Sequence, residues 1–385
     1  MNIIEIKESF IERFGSDPRI IEAPGRINLI GEHTDYNDGF VLPAAIDKEV
    51  IFAIGENNSR TIRLYAKDLD QYYETDIDDL KSSDLGWPDY LNGVVDQLFK
   101  RGHTINGFDC VFGSDIPIGA GLSSSAAIES GLAFALNEIN DLNIDKFELV
   151  KLAQKAENEF VGVNCGIMDQ FASVFGKAGH VFRLDCRSLE YEYFPLELKD
   201  IGILLIDTKV KHSLASSEYN TRRKECEAGV EMYAKYDPSV KSLRDVSLNL
   251  HQNLVNEMDP IVYKRCDYVI REIRRVEEAC EDLKAGRIES FGQKMYETHH
   301  GLSNDYQVSC AELDFLVDQT IQDDLVLGAR MMGGGFGGCT INLVRENHIP
   351  ELMEKIAKAY SVQFGIKPLF YKVKVGDGVR ETGIV

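Results

Sequence analysis

Residues 23–37 read Ala-Pro-Gly-Arg-Ile-Asn-Leu-Ile-Gly-Glu-His-Thr-Asp-Tyr-Asn. A guanidinium (Arg26), two carboxylates (Glu32 and Asp35), an imidazole (His33) and a hydroxyl (Thr34) stand close together in this stretch. Leu29 and Ile30 can anchor it in a core, and Gly31 lets the backbone turn just before the polar cluster. A short strand running into such a turn would offer these groups to a small, hydroxyl-rich ligand. A salt-bridged surface loop would use the same residues, and the rest of the chain decides between the two.

At 385 residues the chain exceeds what one hydrophobic core usually serves, so two domains are expected. An apolar fraction of 44% and a charged fraction of 27% are those of an ordinary globular protein. No apolar run approaches the ~20 residues that span a bilayer. The opening Met-Asn-Ile-Ile-Glu-Ile-Lys-Glu has neither the basic nor the apolar region of a secretory signal, so the expectation is a cytoplasmic protein. Eight cysteines are scattered singly without a CxxC pair, which fits reduced thiols and argues against structural zinc or a disulfide framework. A net charge of −21 argues against nucleic-acid and membrane partners. A phosphate site in such a chain must be built locally, from backbone amides, a helix end and a metal.

Strand-like alternation marks Arg19–Glu22, Glu49–Ile54 and Thr61–Tyr65, and Asn37-Asp38-Gly39 supplies a turn before Phe40-Val41-Leu42. Trp87-Pro88 opens a helix over Asp89–Phe99, with Pro in its first turn. Phe108–Phe112 is another short strand. Ser123–Asn137 and Asp145–Val161 carry helical patterns, and Ile201–Ile206 is a continuous apolar run suited to a buried strand. Helices follow over Ser216–Tyr236, Ile261–Ala285 and Ile288–Ser303. Strand Cys339–Val344, helix Pro350–Gln363 and strand Leu369–Val375 close the order. Strands and helices mixed without regular βαβ alternation point to an α+β fold. The domains are placed at 1–200 and 201–385, with the last strand free to return to the first domain.

Pro117-Ile-Gly-Ala-Gly-Leu-Ser-Ser-Ser-Ala-Ala127 runs from the end of a strand into an Ala-rich helix. Gly119 and Gly121 let the backbone approach a ligand closely. Ser123 can cap the helix, and the free amides of Ser124, Ser125 and Ala126 suit a di- or triphosphate at its N-terminus. One serine suffices for a cap, so the other two are hydroxyls available to phosphate or metal. The loop is neither a Walker A motif nor a Rossmann turn. A second glycine-rich element, Met331-Met-Gly-Gly-Gly-Phe-Gly-Gly338, formally contains G-x-G-x-x-G, but a strand follows where that motif requires a helix. Its glycines point to close approach of backbone to a ligand or to the first glycine loop. His299-His300 falls within a helix, where adjacent positions face different ways, so packing is expected rather than metal binding.

Glu157–Ala172 reads Glu-Asn-Glu-Phe-Val-Gly-Val-Asn-Cys-Gly-Ile-Met-Asp-Gln-Phe-Ala. Glu157 sits near the end of an amphipathic helix, and Asp169 opens another apolar stretch, where a carboxylate often serves only as a cap. Taken together, Gly25–Tyr36, Pro117–Ala127, Asn164–Gln170 and Gly333–Gly338 closely resemble the galactokinase branch of the GHMP small-molecule kinase superfamily. The resemblance extends over essentially the whole chain. The first and third segments are specific to the branch, and the glycine motifs are specific only to the superfamily.

That resemblance implies ATP-dependent phosphorylation of the C1 hydroxyl of galactose, giving α-galactose 1-phosphate. It implies an N-terminal domain like the second domain of ribosomal protein S5, a ferredoxin-like C-terminal domain, and a site between them. By the same resemblance Asp169 matches the catalytic carboxylate and Arg26 its transition-state partner. Glu32, His33, Thr34, Asp35, Gly166 and Tyr219 match the sugar site. Gly119, Ala120, Gly121, Leu122, Ser123, Ser124 and Ser125 match the ATP loop, with Trp87 and Tyr90 near the adenine, while Ser125 and Glu157 match the Mg²⁺ site. Carboxylates 32 and 35 would act as bidentate acceptors for vicinal hydroxyls. The implied partners are a free sugar and ATP, and a monomer is expected. Alternatives are a related kinase acting on N-acetylgalactosamine, arabinose or galacturonate, or a non-catalytic galactose sensor. The intact Ser123–Ser125 run, Arg26 and Asp169 argue against the sensor.

Overall fold

The computed structural model describes residues 2–117, 119–196, 198–211 and 215–383; Ile118, in the glycine–serine loop, lies outside them. Among the described residues the strands form three sheets. The largest runs in the order Arg380–Glu381, Arg19–Asn28, Pro43–Glu56, Phe108–Ser114, Thr61–Ala66, Gln71–Asp76. Its pairs are antiparallel except Thr61–Ala66 with Phe108–Ser114. Alternate residues face opposite sides of such a sheet. Ile21, Ala23, Phe52 and Ile54 therefore pack beneath helices Ser124–Ile139 and Met168–Phe175, and helix Trp87–Lys100 packs against the first of these. Ile20, Ile51, Ala53 and Val111 meet Ile6 and Phe10 of helix Ile3–Phe14 on the other side.

The strand expected over Arg19–Glu22 continues to Asn28. Its pairing with Pro43–Glu56 shifts register between Pro24 and Arg26. A bulge there accommodates a proline that cannot donate to the ladder and re-aims the side chain that follows, which is Arg26. The helix expected over Asp145–Val161 is α-helical only over Lys146–Lys155, then widens to a π turn over Ala156–Val161. Such insertions recur at functional sites because they shift the register of the side chains they carry, and Glu157 is carried here.

A second sheet orders Val326–Met331, Gly337–Arg345, Ile201–Lys211 and Leu369–Val373, antiparallel throughout. One face packs Leu204, Ile206 and Val344 against helix Ile349–Phe364. The other face, with Ile203, Leu205 and Ile341, belongs to the same core as the first sheet. A small sheet of Phe40–Val41, His180–Asp185 and Tyr191–Pro195 packs on helix Pro260–Lys284. On this pairing we propose the domain division near residue 200, with Arg380–Glu381 returning to the edge of the first sheet. No described helix is long and apolar enough to cross a membrane.

Candidate active site

A cavity of about 600 Å³ is lined by residues from four distant parts of the chain: Arg26 to Asp35, Glu157 to Asp169, Tyr219, and Gly333–Gly335. Arg26 and Asp169 meet in it as a two-pronged ion pair. Nε donates to Oδ1 at 2.7 Å and Nη2 to Oδ2 at 3.0 Å, while Nη1 donates to the Gly121 carbonyl at 2.6 Å. Burial disfavours the guanidinium charge, but Asp169, with the carboxylates of Glu32 and Asp35, offsets it and holds the Arg26 pKa above its ordinary value. Ser123 was expected to cap helix Ser124–Ile139, and here the structure differs. Ser123 adopts φ 54°, makes no cap bond, and donates its hydroxyl to Asp169 Oδ2 at 2.5 Å. The glycine–serine loop is thereby tied to Asp169.

Five of the expected sugar residues line the cavity beside this pair: Glu32, His33, Asp35, Gly166 and Tyr219. Glu32 is not free to act as a two-oxygen acceptor. Its Oε1 already accepts from Arg330 Nη2 at 3.0 Å and from the Gly333 amide at 2.8 Å, so Glu32 is left with Oε2 for a ligand. His33 sits at φ 63°, a left-handed conformation uncommon outside glycine. Its Nδ1 bonds the Tyr36 hydroxyl at 2.7 Å, and its buried Nε2 has no protein partner among the described residues. Burial pushes its pKa down to about 4, so the ring is neutral near pH 7. Burial, then the Asp169 charge, pushes Asp35 up to about 7. Gly166 lies so close that a Cβ there would stand 1.8 Å from Asp35 Oδ2. The Tyr219 ring centroid is 5.4 Å from those of His33 and Tyr36.

Thr34 is a correction. Its hydroxyl is wholly buried and donates toward the carbonyls of Gly31 (2.9 Å) and Phe40 (2.7 Å), so it closes the loop rather than lining the cavity. The side chains of Ala120 and Leu122 are likewise buried in the core, which leaves only their backbone to face a nucleotide. The Leu122 carbonyl is itself used by the Arg26 amide at 3.1 Å. Gly119 and Gly121 both have positive φ, and the second glycine turn comes near the first: a Cβ at Gly333 would be 3.8 Å from the Gly121 carbonyl. Gly335 answers to a different neighbour, since a Cβ there would strike the Val308 carbonyl at 2.1 Å.

On the phosphate side, Glu157 is buried and accepts from Gln170 Nε2 at 2.7 Å and the Cys165 thiol at 3.2 Å. Burial raises its pKa, while bonds from Cys165, Ser125 and Gln170 restrain the rise. The same Gln170 amide donates to Glu129 Oε2 at 3.1 Å, and burial beside Glu157 holds Glu129 well above the carboxylate range. Tyr90 is raised by burial and by the charges of Glu157 and Glu129, which puts it near the same carboxylates. Trp87 donates Nε1–H to Gln71 at 2.7 Å and packs on Tyr73 and Phe112, outside the main cavity.

Three participants were not anticipated: Arg330, Gln170 and Glu129. A lone charge inside the apolar run Leu327-Gly-Ala-Arg-Met-Met332, directly before a glycine turn, is the signal that marks Arg330. His299 packs as expected, its Nδ1 accepting from the Met331 amide at 3.2 Å.

The model for the galactokinase galactose-binding signature matches residues 8–56, and those for the GHMP kinase N-terminal and C-terminal domains match 89–177 and 277–362. The galactokinase of Roseiflexus sp. (strain RS-1) is 42% identical over 379 residues, covering 97% of this chain and 96% of the relative. The chain belongs to the galactokinase family. The galactokinase of Thermosipho africanus is 43% identical, covering 94% of this chain and 99% of its own. The crystal structure of Lactococcus lactis galactokinase complexed with galactose superposes with a TM-score of 0.94 at 34% identity, over 99% of this chain and 100% of that one. A mevalonate kinase structure, at 21% identity and a TM-score of 0.65 over 92% of this chain and 98% of that one, shares the fold. The fold is thus the α+β, two-domain GHMP kinase fold.

Proposed function

We propose that this chain transfers the γ-phosphoryl group of ATP to the C1 hydroxyl of galactose, giving α-galactose 1-phosphate. The observation that carries the reading is the Arg26–Asp169 fork, two groups distant in sequence that share a cavity with hydroxyl-reading side chains.

Phosphoryl transfer needs positioning and charge stabilisation more than covalent help. Three of the five N–H groups of Arg26 are taken by Asp169 and Gly121, which leaves two for oxygens of the γ-phosphoryl as their charge develops. Asp169 already holds three donors on its oxygens, an arrangement suited to orienting the anomeric hydroxyl. A loose transition state needs little proton transfer early, so orientation can suffice. The Ser123 bond keeps acceptor and phosphate loop in register. Asp35, Glu32 through one oxygen, His33 and Tyr219 read sugar hydroxyls, and Gly166 leaves the space for Asp35. A site built to bond a hydroxyl strongly rejects an analogue lacking it.

The first-turn amides of Ser124, Ser125 and Ala126 suit the triphosphate, with Gly119–Leu122 contributing backbone and Trp87 and Tyr90 on the adenine side. The oxygens of Ser125 and Glu157 fit Mg²⁺, a hard cation that keeps several waters. Burial and the Asp169 charge raise Glu157, and a bound cation would favour its ionised form. When bound, Mg²⁺ neutralises phosphate charge. We read the chain as a cytoplasmic monomer acting on small molecules, without nucleic-acid or membrane partners.

The test is a panel of galactose, N-acetylgalactosamine, arabinose and galacturonate with coupled ADP detection, alongside Asp169→Asn. Galactose should give the highest kcat/KM. Asp169→Asn should abolish turnover while ATP still perturbs the fluorescence of Trp87, the sole tryptophan. Turnover near wild type in Asp169→Asn removes that residue from catalysis, and preference for another sugar selects the corresponding alternative.

A further inference from the structure

Arg330 is 0% exposed and does not line the cavity, yet it touches what does. Its Nε donates to the Leu29 carbonyl at 2.8 Å and its Nη1 to the Met331 carbonyl at 2.5 Å. Its Nη2 serves both the Asn28 carbonyl and Glu32 Oε1, the latter at 3.0 Å. Asn28 ends the strand that carries Arg26, and Arg330 comes from the second sheet. One guanidinium therefore joins the two sheets at the point where the chain leaves for the sugar-reading turn. The carbonyls fix where the guanidinium sits, and Glu32 supplies the countercharge that a fully buried cation requires.

The backbone around Glu32 is held separately. The Gly31 amide donates to Glu272 Oε1 at 2.9 Å, and the Tyr268 hydroxyl donates to the Glu32 carbonyl at 3.0 Å. What remains free is the Glu32 side chain. Arg330 and the Gly333 amide remove that freedom by closing on one oxygen.

We infer that Arg330 is a positioning residue for sugar recognition: reaching from the opposite sheet, it grips one carboxylate oxygen of Glu32 and fixes the other as the acceptor for one sugar hydroxyl. A planar fork is required for this, because three carbonyls and a carboxylate oxygen must be met in one geometry, which a lysine ammonium cannot do. The inference rests on the reading that Glu32 contacts the sugar.

The experiment measures kcat and KM for galactose and each monodeoxy analogue that keeps the C1 hydroxyl, and KM for ATP, in wild type, Glu32→Gln and Arg330→Lys. Glu32→Gln should lose discrimination against one analogue, which names the hydroxyl it reads. If it loses none, the reading of Glu32 fails and the inference falls with it. Arg330→Lys should lose about tenfold or more of the discrimination against that same analogue, through KM for the sugar, with KM for ATP unchanged. Wild-type discrimination in Arg330→Lys, or an equal loss at every hydroxyl and for ATP, overturns the inference while leaving the Glu32 reading intact. Should Arg330→Lys not fold, Arg330→Met combined with Glu32→Gln removes both buried charges. Its profile should match that of Glu32→Gln alone, and an added loss at another hydroxyl overturns the inference.

Discussion

A methyl group added at residue 166 would collide with Asp35. The Cβ of Gly166→Ala would lie 1.8 Å from Oδ2 and 2.6 Å from Cγ of that carboxylate. Non-bonded contact begins near ~3.5 Å, so the carboxylate must retreat by roughly 1.5 Å. Gly166 is not among the residues with positive φ, so alanine meets no backbone strain and the effect is steric. Overpacking of this kind costs about 1–3 kcal/mol of stability. A binding group displaced by ~1 Å costs about 100-fold in rate. Gly166→Ala should therefore lower kcat/KM for galactose by about two orders of magnitude while KM for ATP stays near wild type. Steady-state kinetics in both substrates and urea denaturation of the unliganded protein read the two effects. Asp35→Ala combined with Gly166→Ala separates them. Truncating the carboxylate removes the clash, so the double variant should regain the stability of Asp35→Ala but keep its poor galactose KM, a non-additivity that a mutant cycle detects. A Gly166→Ala enzyme with wild-type galactose kinetics, or strict additivity in the cycle, would refute the packing argument and the placement of Asp35 against the sugar.

Asp35 also carries a pH signature. Its pKa is raised from 3.8 to about 7 by burial and the Asp169 charge, so the folded protein favours the protonated form. The associated stability is fully present below the unfolded pKa and is lost as pH rises through about 7. The shift corresponds to at most about 4 kcal/mol, and less to the extent that water in the cavity screens it. Unliganded wild type should therefore lose stability relative to Asp35→Asn between pH 5 and pH 8, and parallel stability curves would exclude the effect. Comparison with that variant is needed because Glu49, Glu129 and Glu157 are raised as well. Thr34→Val should cost about 1–2 kcal/mol, because the one buried hydroxyl donor shared between the Gly31 and Phe40 carbonyls is lost. Its sugar kinetics should be unchanged; a rise in galactose KM would return Thr34 to the sugar site.

The chemistry of this chain was legible where it is concentrated in short segments. Arg26, Glu32, His33 and Asp35 lie in one stretch, and Asp169 and Glu157 in another, so the family resemblance those stretches carry drew attention to residues that the fold brings to one cavity. Direction is what sequence does not carry. Thr34 has the right hydroxyl for a sugar, yet the turn aims it at two carbonyls, and Ser123 has the right hydroxyl for a cap, yet a left-handed backbone sends it to Asp169. Arg330 was missed because its carboxylate partner lies 298 residues away, so an apolar strand conceals the pair. Glu129, in an Ala-rich helix with its Gln170 partner 41 residues on, was hidden in the same manner. The edges of the fold were harder to see than its middle. Helix Ile3–Phe14 carries Ile3, Ile6, Phe10 and Phe14 at helical spacing, but its use depends on a sheet face assembled from strands far along the chain. The π turn that delivers Glu157 obeys no propensity rule and follows from packing.

The return of Arg380–Glu381 to pair with Ile21 and Glu22 has a consequence for the order of assembly. Arg19 grips Glu381 across 362 residues of intervening chain, and Arg380 reaches Glu22 and Glu49. During synthesis the strand that bears Arg26 therefore leaves the ribosome long before the segment that becomes its outer neighbour. Contacts of such long sequence separation form slowly, because much of the polymer must be ordered before they can close. Until that segment arrives the strand is paired on one side only, by Pro43–Glu56, and its outer edge is the kind of surface on which chains aggregate.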